Sequence, residues 1–114
     1  MNPCLFCRIA GGEIPATVVH DDGDILAFRD IQPAAPVHVL VVPRRHIATL
    51  DDATPSDQNL LGRMMQVARK VAGAEGVSPE GYRLVMNVHA GAGQSVLHVH
   101  LHVLGGRPFS WPPG

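Results

Sequence analysis

The sequence predicts an α+β fold, an antiparallel sheet with helices packed on it. Three observations carry this reading. Short segments rich in Val, Ile and Leu follow one another through tight connections, one longer segment repeats its apolar residues at helical spacing, and a late apolar run alternates strictly with histidine. Successive strands joined by short connections pair antiparallel, and an amphipathic helix must cover one face of such a sheet.

The elements follow in order. A short helix is expected around Leu5 to Ala10. "TVVHDDGDILAFRDI" reads as a hairpin, with strands at Thr17 to His20 and Ile25 to Phe28 around the turn Asp21-Asp22-Gly23-Asp24. Pro33 and Pro36 break the chain, and "VHVLVVP" is a third strand closed by Pro43. Thr54, Pro55 and Asp57 mark a helix start: a capping hydroxyl, a proline at the first helical position and an acid in the first turn. Leu60, Leu61, Met64, Val67, Ala68 and Val71 form its buried stripe, with Arg63, Gln66, Arg69 and Lys70 off it. Met64 and Met65 are both read as core. Gly76 and Pro79 end the helix, "YRLVMNV" is a fourth strand, and "HAGAGQS" is a Gly-rich loop before the last one.

That last strand, in "QSVLHVHLHVL", places His98, His100 and His102 at alternate positions. In extended chain Val99, Leu101 and Val103 face a core and the imidazoles share the other face. At about 3.3 Å per residue the outer two start roughly 13 Å apart, too far to meet on one metal, so the three divide the labour. The glycines before them, with Ser95, form a loop whose backbone N–H groups can approach an anion. Taken alone this is an ordinary hairpin loop. Joined to three imidazoles, it suggests phosphate beside a nucleophile or proton donor.

Composition bounds the rest. With 114 residues, 46% of them apolar, the chain suits one domain with one core, and aromatics at 4% leave that core to aliphatic side chains. A net charge of −1 gives no basis for a nucleic-acid or membrane surface. No apolar run reaches spanning length and no secretory signal is apparent, so a cytoplasmic protein is expected. Cys4 and Cys7, the only cysteines, stand as C-x-x-C, which in a reducing compartment suits a metal or a redox pair; no βαβ pattern surrounds them to favour the latter.

"GQSVLHVHLHVLGGR" resembles the motif of the histidine-triad (HIT) superfamily. "CLFCRIAGGEIPATVV", "DDGDILAFRDIQPAAPVHVLVVPRRHI", "GYRLVMN" and the ending "WPPG" resemble its Hint branch of nucleotide-binding proteins, over nearly the whole chain. The resemblance implies one HIT domain over 1–114, a five-stranded antiparallel sheet with two helices, and a homodimer with a continuous ten-stranded sheet. Residues 105–114 become a tail reaching the partner, with Trp111 near the leaving-group side. The implied activity is hydrolysis of the P–N bond of adenosine 5′-phosphoramidates, with AMP, GMP and their phosphoramidates as ligands.

It implies roles as well. His100 is the nucleophile that carries the nucleotidyl group, His102 contacts phosphate oxygens, and His38 supports the nucleophile from a neighbouring strand. Ser95 stands beside the bridging atom, with Gly93 in the phosphate loop. Asn87 contacts phosphate and ribose, and Asp30 accepts from the ribose hydroxyls, a task for an acceptor-only side chain. Phe6, Ile14, Phe28 and Ile31 line the purine slot. Cys4, Cys7, His46 and His98 match the ligands of a structural zinc in zinc-containing members. Arg29 departs from the pattern, replacing a histidine beside the ribose-binding acid and adding positive charge near the pocket. Two other classes remain open: a nucleotide-binding regulatory or scaffold module with little turnover, and a metal-dependent hydrolase with histidines as catalytic zinc ligands.

Overall fold

A computed structural model describes residues 2–114. Helix α1 spans Leu5–Ala10, strands β1 Val18–Asp21, β2 Ile25–Arg29 and β3 Val37–Pro43, helix α2 Gln58–Ala74, and strands β4 Tyr82–Val85 and β5 Leu101–Gly105. The strands form one antiparallel sheet in the order β1-β2-β3-β5-β4, so the expected α+β architecture of five strands and two helices is present.

Each face of the sheet covers a different cluster, because side chains alternate along each strand. Ile25, Ala27, Val39, Val41, Val99, Leu101 and Val103 pack against Met64, Val67, Ala68 and Val71 of α2. Leu26, Phe28, Leu40 and Val42 face the other way and take Phe6 of α1. Of the methionine pair only Met64 is core; Met65 is exposed. The start of α2 follows the capping signal, with Asp57 accepting from the Thr54 N–H at 2.8 Å, but Pro55–Asp57 first forms a 3-10 turn. Gly105 permits close approach of β5 to the segment after α2: a Cβ there would lie 2.7 Å from Val77.

Two strands are shorter than expected. The fourth ends at Val85, opposite His102 of the fifth, and the fifth begins only at Leu101, where its ladder with β3 stops opposite Val41. Beyond it Pro43 has no N–H to offer. The chain before Leu101 instead crosses the sheet end, with the Val99 N–H on Ile47 O at 2.7 Å. Only His102 of the three alternating histidines therefore lies in a strand.

Candidate active site and Cys/His cluster

The face opposite α2 carries a pocket of about 350 Å³. Phe6, Ile14, Phe28, Asp30, Ser95, His100 and His102 border it, as does Ile31 at 92% exposure, a rim residue and not an enclosed wall. Leu5, Ile9, Leu40 and Val96 join the apolar lining without having been singled out from sequence. Leu5 and Ile9 share a face of α1 by their four-residue spacing, and Leu40 lies directly opposite His102 in the β3–β5 ladder. Both were signals, but they read equally well as core. His38, Asn87 and Gly93 do not border the pocket. His38 reaches it through His102, and its hydrogen bond goes to that residue and not to His100.

Hydrogen bonds fix the tautomers in sequence. Ala34 donates its N–H to His38 Nδ1 at 3.0 Å, so the neutral ring carries its proton on Nε2. That Nε2–H donates to His102 Nδ1 at 2.8 Å, with an Asp30 oxygen 3.4 Å away. His102 must then be protonated on Nε2, and this buried N–H has no partner among the described residues. A donor without an acceptor at a pocket wall is ready for an anionic oxygen. His100 is set the opposite way. Its Nδ1–H donates to the His98 carbonyl at 2.7 Å, so in the neutral ring the lone pair lies on Nε2. Phe6 meets the His100 ring edge-on at 5.0 Å, and His102 stands 5.0 Å from it on the other side.

Electrostatics keep the supporting rings neutral. Burial, then the neighbouring histidines, pushes His102 down to about 4. Burial also lowers His38, opposed by the Asp30 charge.

A second cluster lies behind the pocket. The donor atoms of Cys4, Cys7, His46 and His98 all fall within 4.8 Å of one another. His98 is fully buried and its Nε2–H donates to Pro43 O at 2.7 Å, so Nδ1 presents a lone pair to the cluster. That Nδ1 lies 3.3 Å from Cys4 Sγ, 3.5 Å from Cys7 Sγ and 3.2 Å from His46 Nδ1. Tetrahedral bonds of about 2.0–2.3 Å give edges of roughly 3.3–3.8 Å, so these four side chains could hold a metal ion. Asp30, His38 and His102 also converge, but that group is unsuited to a metal. His38 Nδ1 already accepts the Ala34 N–H, so its Nε2 could bind a cation only as an imidazolate.

Arg29 corrects an expectation. It borders the pocket, yet its guanidinium turns to the far face of the sheet and pairs with both carboxylate oxygens of Glu75, one at 3.0 Å. Its charge is spent at the C-terminal end of α2.

Residues 11–109 match the family model described as HIT domain. The chain belongs to the HIT family. Among solved HIT structures, a HIT family hydrolase from Legionella pneumophila is 59% identical with a TM-score of 0.95, over 97% of this chain and 99% of that one. A histidine triad nucleotide-binding protein from Candida albicans is 33% identical with a TM-score of 0.79, over 96% of this chain and 82% of that one. An uncharacterised HIT-like protein of Synechocystis sp. is 50% identical over 110 residues, 96% of each chain. This HIT chain has no helix long and apolar enough to cross a membrane among its described residues.

Proposed function

We propose that the chain is a nucleotide hydrolase that cleaves the P–N bond of adenosine 5′-phosphoramidates through a nucleotidyl-histidine on His100. The observation that carries this reading is the tautomer sequence: an unprotonated Nε2 on His100 beside an unpartnered Nε2–H on His102. The first is a nucleophile and the second a donor for the phosphate oxygens. Descriptions of the Legionella relative as a hydrolase and the Candida one as nucleotide-binding agree with it.

In the first step His100 Nε2 attacks the α-phosphorus and the P–N bond breaks. The leaving nitrogen keeps the electron pair and takes a proton from a water molecule beside Ser95. In the second step the hydroxide that remains adds to phosphorus, releasing AMP and neutral His100. The apolar walls from Phe6, Ile14 and Phe28 take a purine of AMP or GMP, with Ile31 closing over it at the rim, and Asp30 takes the ribose hydroxyls. Asn87 and Gly93 belong to the phosphate side by resemblance alone.

Cys4, Cys7, His46 and His98 would hold a structural zinc ion, which when bound pins α1 to the segment before β5 and supplies no step. Two chains would pair into a homodimer along the free edge of β4, giving a ten-stranded sheet, with the tail from 105 reaching the partner. A cytoplasmic location fits the reduced cysteines.

The test is turnover of adenosine 5′-phosphoramidate with and without chelator, with acid quenching to trap the intermediate. Hydrolysis that persists with chelator, with one adenylate on His100 by mass, is expected. No turnover would leave a binding module. Loss with chelator at unchanged nucleotide affinity would favour a catalytic metal.

A further inference from the structure

Gln94 is a polar side chain buried to 8% exposure within a Gly-rich loop, and its amide is used at both ends. Its Oε1 accepts the His89 N–H at 2.8 Å. Its Nε2 donates to Ala48 O at 2.8 Å and Val96 O at 3.1 Å. The three partners belong to different stretches of chain: the turn after β4, the segment following His46, and the residue after Ser95. The backbone reciprocates, since the Gln94 N–H donates to His89 O at 3.1 Å. His89 is the one non-glycine residue with positive φ among those described, at 68°, a conformation that a side chain rarely adopts unless its surroundings hold it.

Ser95 and Val96, which follow directly, border the pocket beside His100 and His102. Ser95 has no side-chain hydrogen bond of its own among the described residues, so its position comes from the backbone on either side. Gln94 bonds that backbone on both sides, to His89 before it and to Val96 after it. We propose that Gln94 is a positioning residue whose amide holds Ser95 at the bond-breaking side of the pocket, and so sets how readily amine leaving groups depart.

The inference rests on the hydrolase reading. Departure of an amine requires a proton on the leaving nitrogen, delivered beside Ser95, whereas a nitrophenolate leaves without one. A displaced Ser95 therefore slows the first class of substrate and spares the second.

The experiment compares wild type, Gln94→Met and Gln94→Glu on two substrates, an alkylamine phosphoramidate of AMP and its 4-nitrophenyl ester. Met keeps the length and loses all three bonds. Glu keeps the bond from His89 but sets a carboxylate against two carbonyls. A misplacement of about 1 Å can cost roughly 10²-fold in rate, so a fall in kcat of about tenfold or more is expected on the alkylamine substrate. The ester should change by less than about threefold, as should AMP affinity, because the purine and ribose contacts lie elsewhere. Hydrogen exchange across residues 89–96 should quicken in both variants while α2 stays protected.

Equal losses on both substrates would make Gln94 merely structural and overturn the proposal, as would unchanged turnover on both. If Met fails to fold, Glu decides on the same readings. If wild type itself hydrolyses neither substrate, the function above fails. Loop exchange then judges the tether alone: faster exchange supports it and unchanged exchange overturns it.

Discussion

Imidazole at position 100 differs from its neighbours in one respect, the proton on Nδ1 held by the His98 carbonyl. His100→Ala is therefore expected to abolish P–N hydrolysis while AMP affinity falls only a few-fold, as turnover and calorimetric titration would read separately. Near wild-type turnover would remove His100 from the nucleophile role. His102 gives a prediction in pH. Its folded pKa is about 4 against an ordinary value of 6.5. As pH falls below about 6.5 the unfolded chain takes up the proton first, so this group lowers stability progressively down to its folded pKa and contributes nothing above the ordinary value. His38 shifts in the same direction, also through burial. Thermal melts between pH 7.5 and 5 should show a falling midpoint, with a shallower fall in His102→Gln. An identical slope in that variant would contradict the assignment.

Helix α1 is short, and its hold on the sheet is specific. Phe6 sits between the two cysteines, 5.5 Å from Phe28 and 5.0 Å from His100 ring to ring. Arg44 donates to Ala10 O at 2.7 Å at its other end. Without a metal, α1 is held by these contacts and by the apolar packing of Ile9 and Ala10 on the same cluster, so metal should matter to stability and, through Phe6, to the pocket. Protein purified without a histidine tag is expected to carry about one zinc per chain, by the four-ligand count of a closed site. Cys4→Ser with Cys7→Ser should remove it, lower the melting temperature, and weaken AMP binding. Metal-free wild type after reduction and zinc supplementation would refute this. At the end of β5 the relevant quantity is space. Gly105→Ala puts a methyl group 2.7 Å from Val77, and overpacking of that kind costs about 1–3 kcal/mol, measurable by denaturant unfolding.

Across the whole molecule, β4 is an edge strand and the tail beyond β5 folds back beside it. Arg83 donates to Ser110 O at 2.9 Å, and the Arg83 and Arg107 guanidiniums lie 5.2 and 4.3 Å from the Phe109 ring centre. Past this clasp Trp111 is 82% exposed, a large apolar surface for a single chain to leave open. A homodimer that covers it is expected by sedimentation. Deleting residues 110–114 should shift preference among amine leaving groups more than AMP affinity, with the dimer intact. Unchanged relative rates across several amines would argue against a role for the tail at the site.

Periodicity and turn chemistry made the elements legible in the sequence. Val99, Leu101 and Val103 had to share a face, Thr54 and Pro55 had to open a helix, and Pro43 had to end a strand, because each constraint is local. The C-x-x-C pair and the histidine alternation likewise marked residues that converge at the Cys/His cluster and the pocket. Assigning partners was beyond any local rule. That His98 gives Nδ1 to the cysteines depends on Pro43 O, 55 residues away, taking its Nε2–H. That His38 serves His102 depends on where β3 meets β5 in the ladder, and that Arg29 turns to Glu75 depends on where α2 ends. The buried task of Gln94 carried no signal at all, since a polar residue in a Gly-rich loop reads as solvated. Local sequence sets torsions and faces within a few residues, whereas tautomers, ligand sets and tethers are decided by which donor meets which acceptor after the sheet has closed.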